Sequence, residues 1–176
     1  MKKTTFNYIP VVFVALLVCF AFGCNKQSET TQAPVVDLNA EKAAVKTVLD
    51  KVVELSEKGD IKLAEKIFAK DTDMIHFGTD AAERLVGYEA AIKSLEQQNA
   101  ALEEIKITVR DQEIRVHKSG TVAWYSEIID FKGKAQGQPF AIAGMRQTGI
   151  LDKRDGNWVI VQTHSSIPVS GQAVKY

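Results

Sequence analysis

Residues 105–116 read IKITVRDQEIRV, and the order of apolar side chains in this stretch decides the fold. Ile105, Ile107 and Val109 share one parity, whereas Ile114 and Val116 share the other. Alternation with period two marks a half-buried strand. The slip of parity between Arg110 and Glu113 therefore predicts either a bulge or a break between two strands. With a bulge, the sheet bends. Towards the C-terminus the same period predicts strands at Thr121–Phe131, Phe140–Asp152 and Asn157–His164. Turns separate them at Ser119-Gly120, Gly133–Gln138 and Asp155-Gly156, the last a strong hairpin signal.

Towards the N-terminus the period becomes helical. Val45, Val48, Leu49, Val52 and Val53 fall on one face of a helix that Asn39 could cap and Gly59 could end. Asp60 is placed to cap a second helix with Leu63, Ala64, Ile67 and Phe68 as its stripe. Asp73–Gly78 alternates as a short strand, Ala81–Gly87 reads as a loop or a turn of helix, and Tyr88, Ala91, Ile92, Leu95 and Leu102 continue as a third helix. Three N-terminal helices followed by a meander predict an α+β domain, with helices packed on one face of a curved, mainly antiparallel sheet. Such an arrangement encloses a cone-shaped cavity, the default place for a ligand.

Before the domain, Lys2 and Lys3 lead into an apolar run, Ile9 to Phe22, that stops at Gly23-Cys24. As a helix the run would span about 21 Å, against a bilayer core of about 30 Å. It reads as an export signal over residues 1–23. Its cationic start, apolar middle and small residue before a cysteine resemble a bacterial lipoprotein signal, which implies that Cys24 is lipidated and becomes the new N-terminus. Removing residues 1–23 takes away Cys19, so Cys24 is the sole remaining thiol and no intrachain disulfide can form. Residues 24–38 are polar, contain Pro34 and read as a tether. The domain occupies residues 39–168, with 169–176 a C-terminal tail. The expected location is the cell envelope, with the chain anchored to a membrane on its periplasmic or outer-surface side.

The chain has 22 basic and 22 acidic residues, and loss of Lys2 and Lys3 leaves 20 against 22, a net charge of −2. With no basic run, nucleic acid is not an expected partner. His76, His117 and His164 are far apart and form no metal-ligand motif, and no glycine-rich phosphate loop is present, so neither metal nor cofactor is expected. Ser165 and Ser166 lie beside His164 without the turn that presents a nucleophilic serine. What remains is general acid/base chemistry, which needs a titratable group in a dry cavity.

The segment from Ile75 to Arg84 (IHFGTDAAER), followed by Gly87-Tyr88-Glu89-Ala90, resembles the join between early strand and third helix in SnoaL-like members of the nuclear transport factor 2 superfamily. Val122-Ala123-Trp124, Arg146–Gly149 and the segment from Asp155 to Ser166 are similar to its later strands. The resemblance implies the cone-shaped fold. For activity it implies several options, since the superfamily includes isomerase-like enzymes, polyketide cyclases, dehydratases and domains that only dimerise. Asp73 and Asp80 invite comparison with the acid/base aspartates of isomerase-like relatives, but neither aligns with that role.

His164 is the first candidate for acid/base chemistry, because Trp158, Ile160, Gln162 and His164 share a parity that would put imidazole and carboxamide on one face. An ordinary hydrogen-bonded histidine is the alternative. His76, flanked by Ile75 and Phe77, could reach the pocket mouth or face solvent. Arg146 interrupts the apolar stretch Ala141–Leu151 and, if buried, needs Glu83 or Glu127 as a partner, or an anionic ligand. Trp124 and Tyr88 offer flat surfaces for stacking on a ligand or for packing. Trp158 is assigned to packing and His117 to the surface. Strand parities one residue off would exchange Trp124 for Tyr125 and Arg146 for Gln147 in the pocket.

Three functions are compatible with these residues. The first is a tethered domain that binds a small, partly apolar molecule, neutral or anionic, in the cone, held by Arg146 and His164. The second is an isomerase-, cyclase- or dehydratase-type enzyme with His164 or His76 as acid/base. The third is an interaction module whose sheet face pairs with itself. A homodimer is compatible with all three, because Tyr125, Ile129 and Phe131 alternate with Trp124 and Ile128 to give apolar groups on both faces.

Overall fold

A 21-residue helix, α1 (Leu38–Lys58), begins the folded part of the computed structural model, which describes residues 35–175. The apolar run, Cys24 and most of the tether lie outside these residues. The helix starts at Asp37, whose carboxylate accepts hydrogen bonds from the backbone N–H groups of Asn39 and Ala40 at 3.0 and 3.1 Å. Asn39, the expected cap, lies inside the first turn. Asp37 is the better cap because it satisfies two orphan N–H groups and sets a negative charge at the positive end of the helix. Gly59 ends the helix in the left-handed conformation (φ 64°), as expected. Val45, Val48, Leu49 and Leu55 form the buried face, each contributing roughly 1.5–3 kcal/mol.

Asp60 caps a 3₁₀ turn (Ile61–Leu63) through the N–H of Lys62 and leads to the four-residue helix α2 (Ala64–Ile67). Next come β1 (Ile75–Phe77) and β2 (Arg84–Val86), paired as an antiparallel hairpin. Strand β2 falls in Ala81–Gly87, expected as a loop or a turn of helix, because a three-residue strand is too short to display a period. Helix α3 (Tyr88–Ala101) follows. The meander then comprises β3 (Leu102–Val116), β4 (Val122–Ala135), β5 (Gln138–Arg154) and β6 (Asn157–Ser166).

The six strands form one sheet in the order β2-β1-β6-β5-β4-β3, antiparallel except where β1 runs parallel to β6. Among the described residues the fold is α+β, three α-helices with a curved six-stranded sheet. Its core joins the inner face of α1 to Ile114, Ala123, Tyr125, Leu151, Trp158 and Ile160.

Bulges bend the sheet. The slip expected near Gln112 is an extra residue in β3 between Arg110 and Glu113, with Asp111 at φ 51°; the strand continues through it. A matching extra residue in β5 lies between Ile142 and Met145, where Gly144 adopts φ 72°. Asp130 ties the two distortions together, accepting from Gly144 N–H at 2.8 Å and from Arg110 Nε at 3.3 Å.

A third bulge changes the site. Ile150 pairs with Gln162, but Leu151 pairs with Ile160, so Val161 is an extra residue in β6. Before it Trp158 and Ile160 face the core; after it Thr163 and Ser165 do, and Gln162 and His164 face outward. The expected shared parity of Trp158, Ile160, Gln162 and His164 fails at this residue.

Candidate functional site

Helices α1 and α3 and the concave face of the sheet enclose a cavity of about 380 Å³. This lies within the range of about 300–1,000 Å³ typical of small-molecule sites. Its walls are mainly apolar: Val52 and Val53 from α1, Ala91 and Leu95 from α3, and Ile129, Phe131, Phe140, Ile142 and Met145 from the bent part of β4 and β5.

Polar groups form a row across the sheet. Glu127 on β4 is directly opposite Gln147 on β5, which is opposite Ser165 on β6. Gln112 extends the row at β3, its Nε2 donating to Glu127 Oε2 at 2.7 Å. Gln147 Nε2 donates to Ser165 Oγ at 3.4 Å. One pleat along β6, Thr163 pairs with His76 of β1, and Thr163 Oγ1 is hydrogen-bonded to His76 Nδ1. If the threonine hydroxyl donates, His76 carries its proton on Nε2; if Nδ1–H donates, Nε2 is a free base.

At the β1–β2 hairpin, Glu83 folds over Gly78. A Cβ at Gly78 would press on the Glu83 side chain, whose own Cβ would lie 2.8 Å away, so glycine leaves room for Glu83 to fold over it. Glu83 Oε2 accepts from Asp80 N–H at 3.0 Å, and its charge acts on His76.

Burial sets the electrostatics. It pushes the Glu127 carboxyl above its ordinary value, opposed by the hydrogen bond from Gln112. It pushes the His76 imidazole below its ordinary value, opposed by the charge of Glu83. An acid biased towards its protonated form and a base biased towards its neutral form thus share one cavity. Tyr125, beneath it on β4, is pushed up by burial.

Of the residues singled out in the sequence, His76 and Glu83 line this cavity. The others do not. His164 is exposed on the outer face, its ring edge-on to Phe77 at 5.7 Å, and Gln162 is half-buried there, turned outward by the Val161 bulge. Trp124 is 47% exposed on the same outer face, opposite Ile150. Arg146 is also exposed and outward, opposite Ile128 and Ser166. The inward residues are Tyr125 and Gln147, as in the alternative parity. Glu83 and Glu127 therefore have Asp80 N–H and Gln112 as partners, not Arg146.

Tyr88 opens α3 outside the cavity, half-buried, with Lys70 Nζ 6.0 Å from its ring centre. Asp80 and Asp73 are exposed. His117 is exposed in the turn before β4, and Trp158 is in the core. Among the described residues no group of three or more His, Cys, Asp or Glu is arranged to hold a metal, and no helix is long and apolar enough to cross a membrane.

Gln112 and Ser165 were not expected in the site, Glu127 was expected only as a partner for Arg146, and Gln147 only through the alternative parity. Glu127 had a readable signal, since it is a charged residue in the same register as Ala123, Tyr125 and Ile129. The others were hidden by the bulges.

A curved sheet closed by helices over a lined cavity defines a cone-shaped α+β fold. The chain belongs to the SnoaL-like domain family, whose model matches residues 45–170. Among solved structures it is similar to a nuclear transport factor 2-like superfamily protein from Salmonella enterica, with TM-score 0.69 and 16% identity, over 78% of this chain and 99% of the other. A dehydratase candidate of that family from Streptomyces avermitilis gives TM-score 0.67 at 14% identity, over 75% and 99% of the two chains. A scytalone dehydratase candidate from Novosphingobium aromaticivorans gives 0.65 at 13%, over 78% and 91%. At these identities the likeness is one of fold. No curated protein matches the chain.

Proposed function

We propose that this chain is an exported lipoprotein, anchored in the cell envelope through Cys24, whose SnoaL-like domain binds a small, partly apolar molecule in its cone cavity. The observation that carries the reading is the cavity of about 380 Å³ with apolar walls and one polar row, Glu127, Gln147 and Ser165, reached also by His76. A few convergent polar groups in an apolar enclosure orient a ligand without demanding a reaction. His76 and Glu127 take the part that the sequence reading gave to Arg146 and His164.

The test is a thermal-shift screen of the chain starting at residue 24 against small aromatic and alicyclic compounds. A ligand at a hundred times its dissociation constant adds about 2.7 kcal/mol of stability. A shift lost in folded Glu127→Gln or His76→Gln supports the reading; absence of any shift across the library rejects it. For the anchor, radiolabelled palmitate should enter the chain in a bacterial host and be lost in Cys24→Ser.

An acid/base enzyme of isomerase, cyclase or dehydratase type is the second reading. It is favoured by the opposed shifts of Glu127 and His76, the pattern by which acid and base are assigned. A compound found in the screen should then be converted, with a pH profile that collapses in either variant. Self-association suits both readings. Trp124, Val122 and Ile150 leave apolar surface on the outer sheet face, so Trp124→Glu, rather than a change at buried Tyr125, is the substitution expected to dissociate a homodimer in sedimentation.

A further inference from the structure

The cavity lining carries one sign of charge. Its ionisable side chains are Glu83, Glu127 and His76, with no lysine or arginine among them. A carboxylate or phosphate ligand would enter beside two acids with no cation to receive it.

Glu127 is the key group. It is 6% exposed, and Gln112 occupies Oε2. Oε1 makes no hydrogen bond to the described residues, yet no side-chain oxygen among them is both buried and unpartnered, so Oε1 is reached from the cavity. Beside it Gln147 gives one Nε2 hydrogen to Ser165, and its Oε1 remains available to accept from a ligand. The rings of Phe68, Phe131 and Phe140 and the thioethers of Met74 and Met145 complete the wall. Aromatic faces attract cations, by up to about 2 kcal/mol in a desolvated site.

We infer that the ligand is an organic cation, an amine or quaternary ammonium group on an apolar body, with its charge against Glu127 and its body against the phenylalanines. The inference rests on the binding reading above and names the ligand class. Burial disfavours the Glu127 carboxylate, opposed by the hydrogen bond from Gln112, and an ammonium group beside it favours the carboxylate. The other groups acting on Glu127 are Asp50 and Lys46 from α1, Gln112 from β3 and, on its own strand, Tyr125; His76 and Glu83 line the same cavity from the β1–β2 hairpin. Helix α3 presents only uncharged polar groups, Ser94 and Gln98.

The probes are benzylamine, benzyl alcohol and benzoate, alike in size and different in charge. Each is titrated calorimetrically at neutral pH into the full chain in phosphatidylcholine nanodiscs, with empty nanodiscs as blank. Benzylammonium is expected to bind about ten-fold or more tightly than benzyl alcohol, with benzoate weakest. Glu127→Gln should abolish the preference for the amine over the alcohol. Phe140→Leu, which alters no charge, should weaken the amine more than the alcohol. Equal or tighter binding of benzyl alcohol or benzoate would overturn the ligand class, as would full amine affinity in Glu127→Gln. If none of the three binds, the binding reading fails first and the class falls with it.

Discussion

Replacing Ala91 by leucine should stabilise the protein. Ala91 is on α3, 5% exposed, and its side chain faces the cavity. Leucine adds three carbons that can enter space already enclosed but unfilled, at about 0.8 kcal/mol each. Fixing the longer side chain costs about 0.5–1 kcal/mol. The net gain is about 1.5 kcal/mol, or roughly 3–6 °C in Tm for a chain of this size. Ala64→Leu supplies the contrast. Ala64 is fully buried on α2 and does not line the cavity, so the same added carbons meet packed atoms and should cost about 1–3 kcal/mol. Urea unfolding of both variants, followed by tryptophan fluorescence, gives the two signs directly. If Ala91→Leu destabilises the protein as much as Ala64→Leu does, the enclosed space beside α3 is not there, and the binding reading loses its foundation. If the gain appears, ligand binding should be lost in the same variant, because the added side chain occupies the ligand's volume.

Gly149→Ala should destabilise by up to about 3 kcal/mol in urea, because its Cβ would lie 2.6 Å from both the Gln162 carbonyl oxygen and Tyr125 Cε1, neither free to move. A loss under about 1 kcal/mol would mean that the floor of β4, β5 and β6 yields. Two further variants flatten opposite parts of the stability profile measured from about pH 4 to about pH 8. Between the ordinary 4.5 and its raised folded value, Glu127 keeps a proton that the unfolded chain has lost, so stability falls as pH rises through that window and Glu127→Gln removes the fall. Between its lowered folded value and the ordinary 6.5, His76 lacks a proton that the unfolded chain holds, so stability falls as pH drops below 6.5 and His76→Gln removes that fall.

Elements with several periods were legible in the sequence. α1 and α3 came from their apolar faces, the meander from alternation, and the β5–β6 hairpin from Asp155-Gly156, whose φ values of 48° and 81° are those of a two-residue turn. The bulge near Gln112 was legible because apolar residues mark the parity on both sides of it. The bulge at Val161 was not, since Val159, Ile160 and Val161 are all apolar and hide the slip, and Thr163 and Ser165 beyond it give no hydrophobic signal. His164 and Gln162 were therefore expected inside. Arg146 was read by its neighbours' hydrophobicity rather than by parity, and the extra residue at Gly144 shifted that count. His76 was legible through its place between Ile75 and Phe77 in a short strand, and Glu83 was named only as a partner for Arg146. Glu127 depended on knowing which face of β4 is inner.

The extra residue in β6 behaves like a frameshift written in space. Were Val161 to pair as an ordinary strand residue, the hydrogen-bonded ladder would remain available but Gln162 and His164 would come to the lining and Thr163 and Ser165 would turn outward, replacing the chemistry of one wall without substituting a single side chain. Proteins that share this fold at low identity can thus differ in what they hold through the length of one strand, and aligning them by residue type alone would compare inner walls with outer ones.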